Sequence, residues 1–140
     1  MIVAIICPAL RIGRYLLLLG VISWLPANAN DHELGRLYKT QEHKSVQVGG
    51  EGVVIKILDD DNLGSRHQRF IVRLKSGQTL LIAHNIDLAP RITELSEGDE
   101  VEFYGEYEWN IKGGVIHWTH RDPRGAHVAG WIRHGGMTYQ

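Results

Sequence analysis

Five stretches of this chain read as strands, most of them by apolar residues that recur with a period of two, and that pattern constrains the fold more than any other feature. Successive side chains of a strand point to opposite faces, so a period of two marks a half-buried strand. The first stretch, Val46–Leu58, sets Val53, Ile55 and Ile57 on one face, with Gly49, Gly50 and Gly52 allowing a bend. The second, His67–Lys75, alternates Phe70, Val72 and Leu74 with Arg69, Ile71, Arg73 and Lys75. The third, Thr79–Asn85, is apolar on both faces and is expected to be buried on both. The fourth opens at Gly98-Asp99 and sets Val101, Phe103, Tyr107 and Trp109 against Glu102, Glu106 and Glu108, with Gly105 read as a bulge or tight bend. Lys112-Gly113-Gly114 turns into the fifth, Val115–His120.

Three strands, a short helical connection over Ile86–Leu95 and two more strands predict a mainly all-β fold. The arrangement that fits this order is a five-stranded OB-like barrel, with the helical connection between strands 3 and 4. Another small β-barrel or a sandwich would satisfy the same alternation. In the OB order strands 3 and 5 lie parallel and adjacent, and strands 2 and 3 form a hairpin about Ser76-Gly77. His84 should then stand near Arg69 and within reach of His67, and the exit of strand 5 should bring His120 and Asp122 to the same rim.

The segment ahead of the strands reads differently. Tyr15–Leu25 is an apolar core preceded by Arg11 and Arg14, and Ala27-Asn28-Ala29 has the small-x-small form of a cleavage site. Residues 1–29 are therefore expected to be a signal peptide, 30–45 a loose or helical lead-in, and 46–140 the OB-like domain with a C-terminal extension. The expected location is exported, periplasmic or secreted. A further apolar run, Ile2–Leu10, leaves open an over-extended start or a longer anchor, but the mature chain contains no stable membrane span. Cys7 falls inside the signal, so no thiolate remains and any metal must be held by His, Asp or Glu. Arg11 and Arg14 leave with the signal too, and thirteen basic residues then face sixteen acidic ones, a net charge of −3 with neutral histidine. That balance argues against non-specific binding of nucleic acid through bulk charge.

All eight histidines follow residue 30, and the segment His117-Trp118-Thr119-His120-Arg121-Asp122-Pro123, with His127 and His134 beyond it, is the densest group of acid/base and metal-ligating side chains. Strand alternation would set His117 and His120 on opposite faces unless the strand has ended, so they do not form a self-contained ligand pair. His117 reads more readily as a structural histidine of the sheet, and His127 and His134 as solvated. His120, at the strand exit, is the better functional residue. Asp122-Pro123 also has an ordinary use in capping a turn. The acidic run Asp59-Asp60-Asp61 lacks the calcium-loop pattern, since Leu63 occupies a ligand position. It reads as a loop. Arg69, Arg73 and Lys75 form a basic stripe on the face that OB barrels commonly use for oligonucleotides or sugars, or an ordinary solvent face, and Tyr104, Trp109, Trp118 and Trp131 are aromatics that could stack on bases, although such residues more often fill a small core.

The runs His67-Gln68-Arg69-Phe70, Leu80 to Arg91, Glu102 to Asn110 and Gly113 to His120 resemble a family of small exported bacterial proteins of unknown function. The resemblance spans nearly the whole mature chain. It implies an exported single-domain protein and supplies no activity.

Two functions remain open. One is a metal-assisted phosphodiesterase or nuclease: His67, His84, His120 and Arg69 are its catalytic candidates, and His84, His120 and Asp122 would hold a divalent metal. Arg73, Lys75, Arg91, Asn85 and Trp118 are the ligand-binding candidates, and a histidine acting as general base without metal is a variant of the same chemistry. The other is a non-catalytic OB-type module in the cell envelope that binds nucleic acid, glycan or another anionic ligand at the same rim.

Overall fold

The computed structural model describes residues 27–140. Residues 1–26, most of the expected signal peptide, lie outside the described residues. The elements are α1 (Ala27–Lys39), β1 (Val46–Asp61), β2 (His67–Arg73), β3 (Thr79–Asn85), β4 (Glu100–Glu108), β5 (Val115–His117), β6 (Trp131–His134) and β7 (Met137–Tyr139). No helix among the described residues is long and apolar enough to cross a membrane.

The strands form one sheet in the order β1-β2-β3-β5-β4-β6-β7, and β1 also pairs with β4, closing five strands into a ring. The closure depends on the length of β1. Its first half, Val46–Val53, pairs with β4, and its second half, from Val53 to Asp61, pairs with β2. Register shifts at Val54/Lys56 and Leu58/Asp61 bend the second half. As expected, β2 and β3 form an antiparallel hairpin, and β3 runs parallel to β5 with Leu81 opposite Val115.

Several expectations are corrected here. The acidic run Asp59-Asp60-Asp61 belongs to the end of β1 and is not a loop. The connection between β3 and β4 contains no helix. It makes one helix-like bond, from the Ala89 amide to the Asn85 carbonyl, before Pro90 ends the possibility of continuing. Gly105 is not a bulge, because β4 pairs with β1 in unbroken register through it. A side chain there would strike the His117 carbonyl oxygen, and it would come within 2.9 Å of the Thr119 methyl. The last expected strand is shorter, ending at His117, and the expected C-terminal extension contains two strands: β6 pairs with β4, and β7 pairs with β6.

The core follows the period-two pattern in β2 and β4 but not in β1, where Val48 and Val54 are buried and Ile57, read on one face with Val53 and Ile55, is exposed. Phe70, Val72, Leu80, Ile82, Val101, Phe103, Tyr107 and Ile116 are buried inside the ring, and Ile132 joins them from β6. Each such side chain contributes on the order of 2 kcal/mol through removal of apolar surface from water. One end of the ring is closed by α1, which takes up the first part of the expected lead-in, to Lys39, and starts three residues inside the expected signal. Leu34 and Leu37, three apart and so on one helix face, are fully buried in the core. The helix stops at Gln41, whose φ of 51° lets the Glu42 amide reach back to the Leu37 carbonyl. Asp31 binds the backbone and hydroxyl of Ser76, which fixes the helix over the β2–β3 turn.

The opposite end is closed by polar groups. Gln68 and His84 are cross-strand partners, both buried. The Gln68 amide donates to the Ile92 carbonyl at 2.9 Å and accepts from the Ile92 amide at 3.0 Å, so one side chain serves as a short strand for the loop that crosses this end.

Candidate functional site

The site is built where β5 stops. Trp118 has a φ of 54°, a left-handed conformation that costs a bulky residue free energy and must be held by its surroundings. It is held by the returning chain. The Gly130 amide donates to the His120 carbonyl at 2.8 Å, and Gly130 lies so close to the Trp118 and Tyr104 carbonyls that any side chain there would collide with both. The left-handed residue ends the alternation. The Trp118 ring stays 42% exposed, while Thr119 and His120 are both buried.

The ring nitrogens of three histidines can be assigned from their partners, because a carbonyl oxygen only accepts. His84 donates from Nε2 to the Pro90 carbonyl at 3.1 Å, so its Nδ1 accepts the Thr119 hydroxyl proton at 2.9 Å. Both nitrogens are therefore engaged. His120 donates from Nδ1 to the Arg121 carbonyl at 2.7 Å, and His127 from Nδ1 to the Val128 carbonyl at 2.8 Å. In these two rings Nε2 is the atom left with a lone pair in the neutral form. Neither Nε2 has a hydrogen-bond partner among the described residues.

These two imidazoles pack edge to face with centroids 5.0 Å apart, and Trp118 covers both, at 5.9 Å from His120 and 4.1 Å from His127. Asp122 supports the group from below. Its carboxylate accepts the backbone amides of Arg124, Ala126 and His127, and lies 3.9 Å from Nε2 of His127. Burial works to raise the Asp122 pKa, but the amides of Arg124, His127 and Ala126 outweigh it and hold the carboxyl below its ordinary value. The loop from 122 to 127 is thus tied around an anion.

His84 lies behind this cluster. Burial is the main cause that lowers its pKa from 6.5 to about 4, with the Pro90 carbonyl opposing and the neighbouring His120 and His67 adding to the effect. It is a neutral strut at ordinary pH, joining β3 to Thr119 and to the loop at Pro90.

The expected residues distribute unevenly. His120 neighbours His84, and Trp118 packs against His120. His84 pairs with Gln68, next to Arg69, and His67 and Arg69 share the outer face of β2. Arg69 donates from Nε to the Asp59 carbonyl at 3.0 Å. Asn85 accepts the Asp87 amide in a local turn. Arg91 pairs with Asp60 at 2.5 Å, and Lys75 pairs with Glu51. Arg73 lies at the opposite end of β2. The expected ligand set of His84, His120 and Asp122 does not assemble: both nitrogens of His84 and the carboxylate of Asp122 already have protein partners, and no three His, Asp or Glu side chains among the described residues are grouped to share a metal ion. The Nε2 of His117 lies 3.3 Å from Glu108, and His134 pairs with Asp99 at 2.8 Å. Thr119 and Gln68 are not among the expected residues, and His127, read as solvated, is instead packed against His120. The Asp-Pro turn signal at 122–123 was the available pointer to His127, since a turn there brings the chain back over His120.

A cavity of about 670 Å³ lies elsewhere, between the bend of β1 and the β6–β7 turn, lined by Glu51, Arg73, Lys75, Glu102 and Arg133 among others. Its size does not make it the better site. Lys75–Glu51 and Arg133–Glu102 neutralise one another across it, and the imidazole at its edge, His134, is already bound to Asp99. Proton-transfer chemistry is better served by the histidine cluster.

The model of a protein family described as "Protein of unknown function (DUF3465)" matches residues 16–140. No curated protein matches the chain.

Proposed function

The chain belongs to this family of unknown function, and we propose that it is an exported protein that cleaves phosphodiester bonds in single-stranded nucleic acid at the His120–His127 pair. The observation that carries the reading is the paired orientation of the two imidazoles. Each gives its Nδ1 proton to a carbonyl, which leaves the two Nε2 atoms for one proton acceptor and one proton donor. General acid–base catalysis of phosphodiester cleavage needs such a pair, one group to activate the nucleophile and one to protonate the leaving oxygen.

The surroundings support it. Trp118 supplies a half-exposed ring on which a base can stack, worth roughly 1–3 kcal/mol. Arg121 and Arg124 are exposed beside the pair and form no salt bridge among the described residues, so a phosphate would find local positive charge on a protein of net negative charge. The five-stranded ring with β3 parallel to β5 follows the strand order of an OB-type barrel, whose open face is a common place for oligonucleotides. A divalent metal, where one takes part, would use the same two Nε2 lone pairs, and not His84 or Asp122.

The test is direct. The protein is incubated with single-stranded oligonucleotides, in chelator and with Mg, Mn, Ca or Zn, and His120→Ala and His127→Ala are run in parallel. Cleavage that both substitutions abolish supports the reading. Binding without cleavage, weakened by Trp118→Ala, would replace it with the second reading, a binding module, which the exposed Trp118 ring favours on its own.

A further inference from the structure

We infer that the substrate is RNA, cut by attack of its own 2′-hydroxyl, with no metal required. The inference rests on the phosphodiesterase reading and goes further by naming the nucleophile. Two observations lead to it. Among the described residues, His120 and His127 each keep an Nε2 without a hydrogen-bond partner at the site, and no third His, Asp or Glu is placed to complete a metal site with them. A metal-free imidazole pair does not generate hydroxide from water efficiently near neutral pH, but it suits a nucleophile already held beside the phosphorus by the substrate. RNA carries that nucleophile on the adjacent carbon of the ribose, and DNA does not.

The roles follow from the carboxylate beside the pair. Asp122 lies 3.9 Å from Nε2 of His127 and forms no salt bridge with His120. An imidazolium at 127 therefore has a carboxylate opposite it. His120 is the proton acceptor. Its Nε2 takes the 2′-hydroxyl proton as the 2′ oxygen bonds to phosphorus; the bond from phosphorus to the 5′ oxygen breaks, and that oxygen leaves with the proton from His127 Nε2. The products are a 2′,3′-cyclic phosphate and a 5′-hydroxyl, and the two histidines end with their protonation states exchanged. No water, metal or oxidant enters the balance. Trp118 stacks a base next to the cleaved bond, and the flanking Arg121 and Arg124 meet the phosphate charge.

The experiment uses the full chain, in chelator, on matched single-stranded oligonucleotides of RNA, DNA and 2′-O-methyl RNA, with the product ends identified by mass. The expected result is cleavage of RNA alone, leaving 2′,3′-cyclic phosphate ends, with a bell-shaped pH dependence. His120→Gln and His127→Gln should each lower the rate by about 10²–10⁴-fold, with circular dichroism and the melting transition retained. Should His120→Gln unfold, the exposed-loop variant His127→Gln and the 2′-O-methyl substrate still decide the matter. Equal cleavage of DNA, or cleavage only when a metal is added, would overturn the 2′-hydroxyl inference and leave the phosphodiesterase reading standing. Cleavage of none of the three under any metal overturns both.

Discussion

His84 offers a quantitative test of how this domain is held together. Its ring is fully buried, and its folded pKa lies at about 4 against 6.5 for an exposed imidazole, chiefly because burial penalises the charged form. The unfolded chain therefore takes up a proton as pH falls below 6.5, and the folded chain only near 4. Stability is full above pH 6.5, declines through the window between, and levels off below about 4 as far as this group is concerned. The gap corresponds to about 3 kcal/mol, at roughly 1.4 kcal/mol per pH unit. That is a large fraction of the stability of a domain this size. Urea unfolding at pH 7.0, 5.5 and 4.2 would measure it, comparing the wild type with His84→Gln. The pKa of His117 is lowered too, again first by burial with Glu108 opposing, so the informative quantity is the difference between the two proteins. Asp87, Asp99 and Asp122 have carboxyl pKa values held below 3.8, and they fall outside the chosen window. His84→Gln should be less stable at pH 7 but should lose about 3 kcal/mol less on acidification. An identical pH slope in both proteins would refute the assignment of His84 as a neutral, proton-excluding strut.

Other perturbations address the remaining parts. Gln68→Leu fills the same space but strips the Ile92 amide and carbonyl of their partners; two buried unsatisfied groups should cost about 2–5 kcal/mol, read as a lower urea midpoint. Asp122→Ala releases the backbone amides of Arg124, Ala126 and His127, and it should cut oligonucleotide cleavage at least about tenfold while the melting transition moves little, since the loop rather than the ring is loosened. Trp118→Ala should raise KM for a single-stranded substrate by roughly 5–100-fold with a much smaller change in kcat, the pattern of lost base stacking. Gly130→Ala should abolish the site and lower thermal stability together, because the added carbon meets two backbone carbonyls that cannot move aside.

The period-two pattern located the strands of the ring because burial on one face leaves a local trace. Thr79–Asn85 matches β3 residue for residue, and the parallel neighbour β5 followed from strand order alone. The trace fails where the backbone departs from a strand for non-local reasons. Val115–His120 reads as one alternating run, yet Trp118 turns left-handed because Gly130, from a segment twelve residues on, packs against its carbonyl. The same cause hid the true relation of Thr119 and His120. The β6–β7 hairpin was legible and overlooked. Trp131-Ile132-Arg133-His134 runs into Gly135-Gly136, both with positive φ of 56° and 78°, which is a two-residue hairpin turn of the common primed type.

The charge argument works the same way at the site. Read along the chain, Arg69, Arg73 and Lys75 form a basic stripe, Arg91 is a further ligand-binding candidate, and Asp122 looks like a ligand. Folding reverses these readings. Lys75 and Arg91 meet Glu51 and Asp60 from β1, and Arg69 bonds to the Asp59 carbonyl, so the long first strand supplies the partners that a linear reading cannot see. Asp122 spends its oxygens on its own loop's amides, and in doing so it brings His127, ten residues past the end of β5 at His117, against His120. The chemistry of this molecule is therefore set by which polar groups the fold leaves unsatisfied. Of the histidines that converge on the rim, His84 keeps neither nitrogen for a ligand, whereas His120 and His127 each keep one.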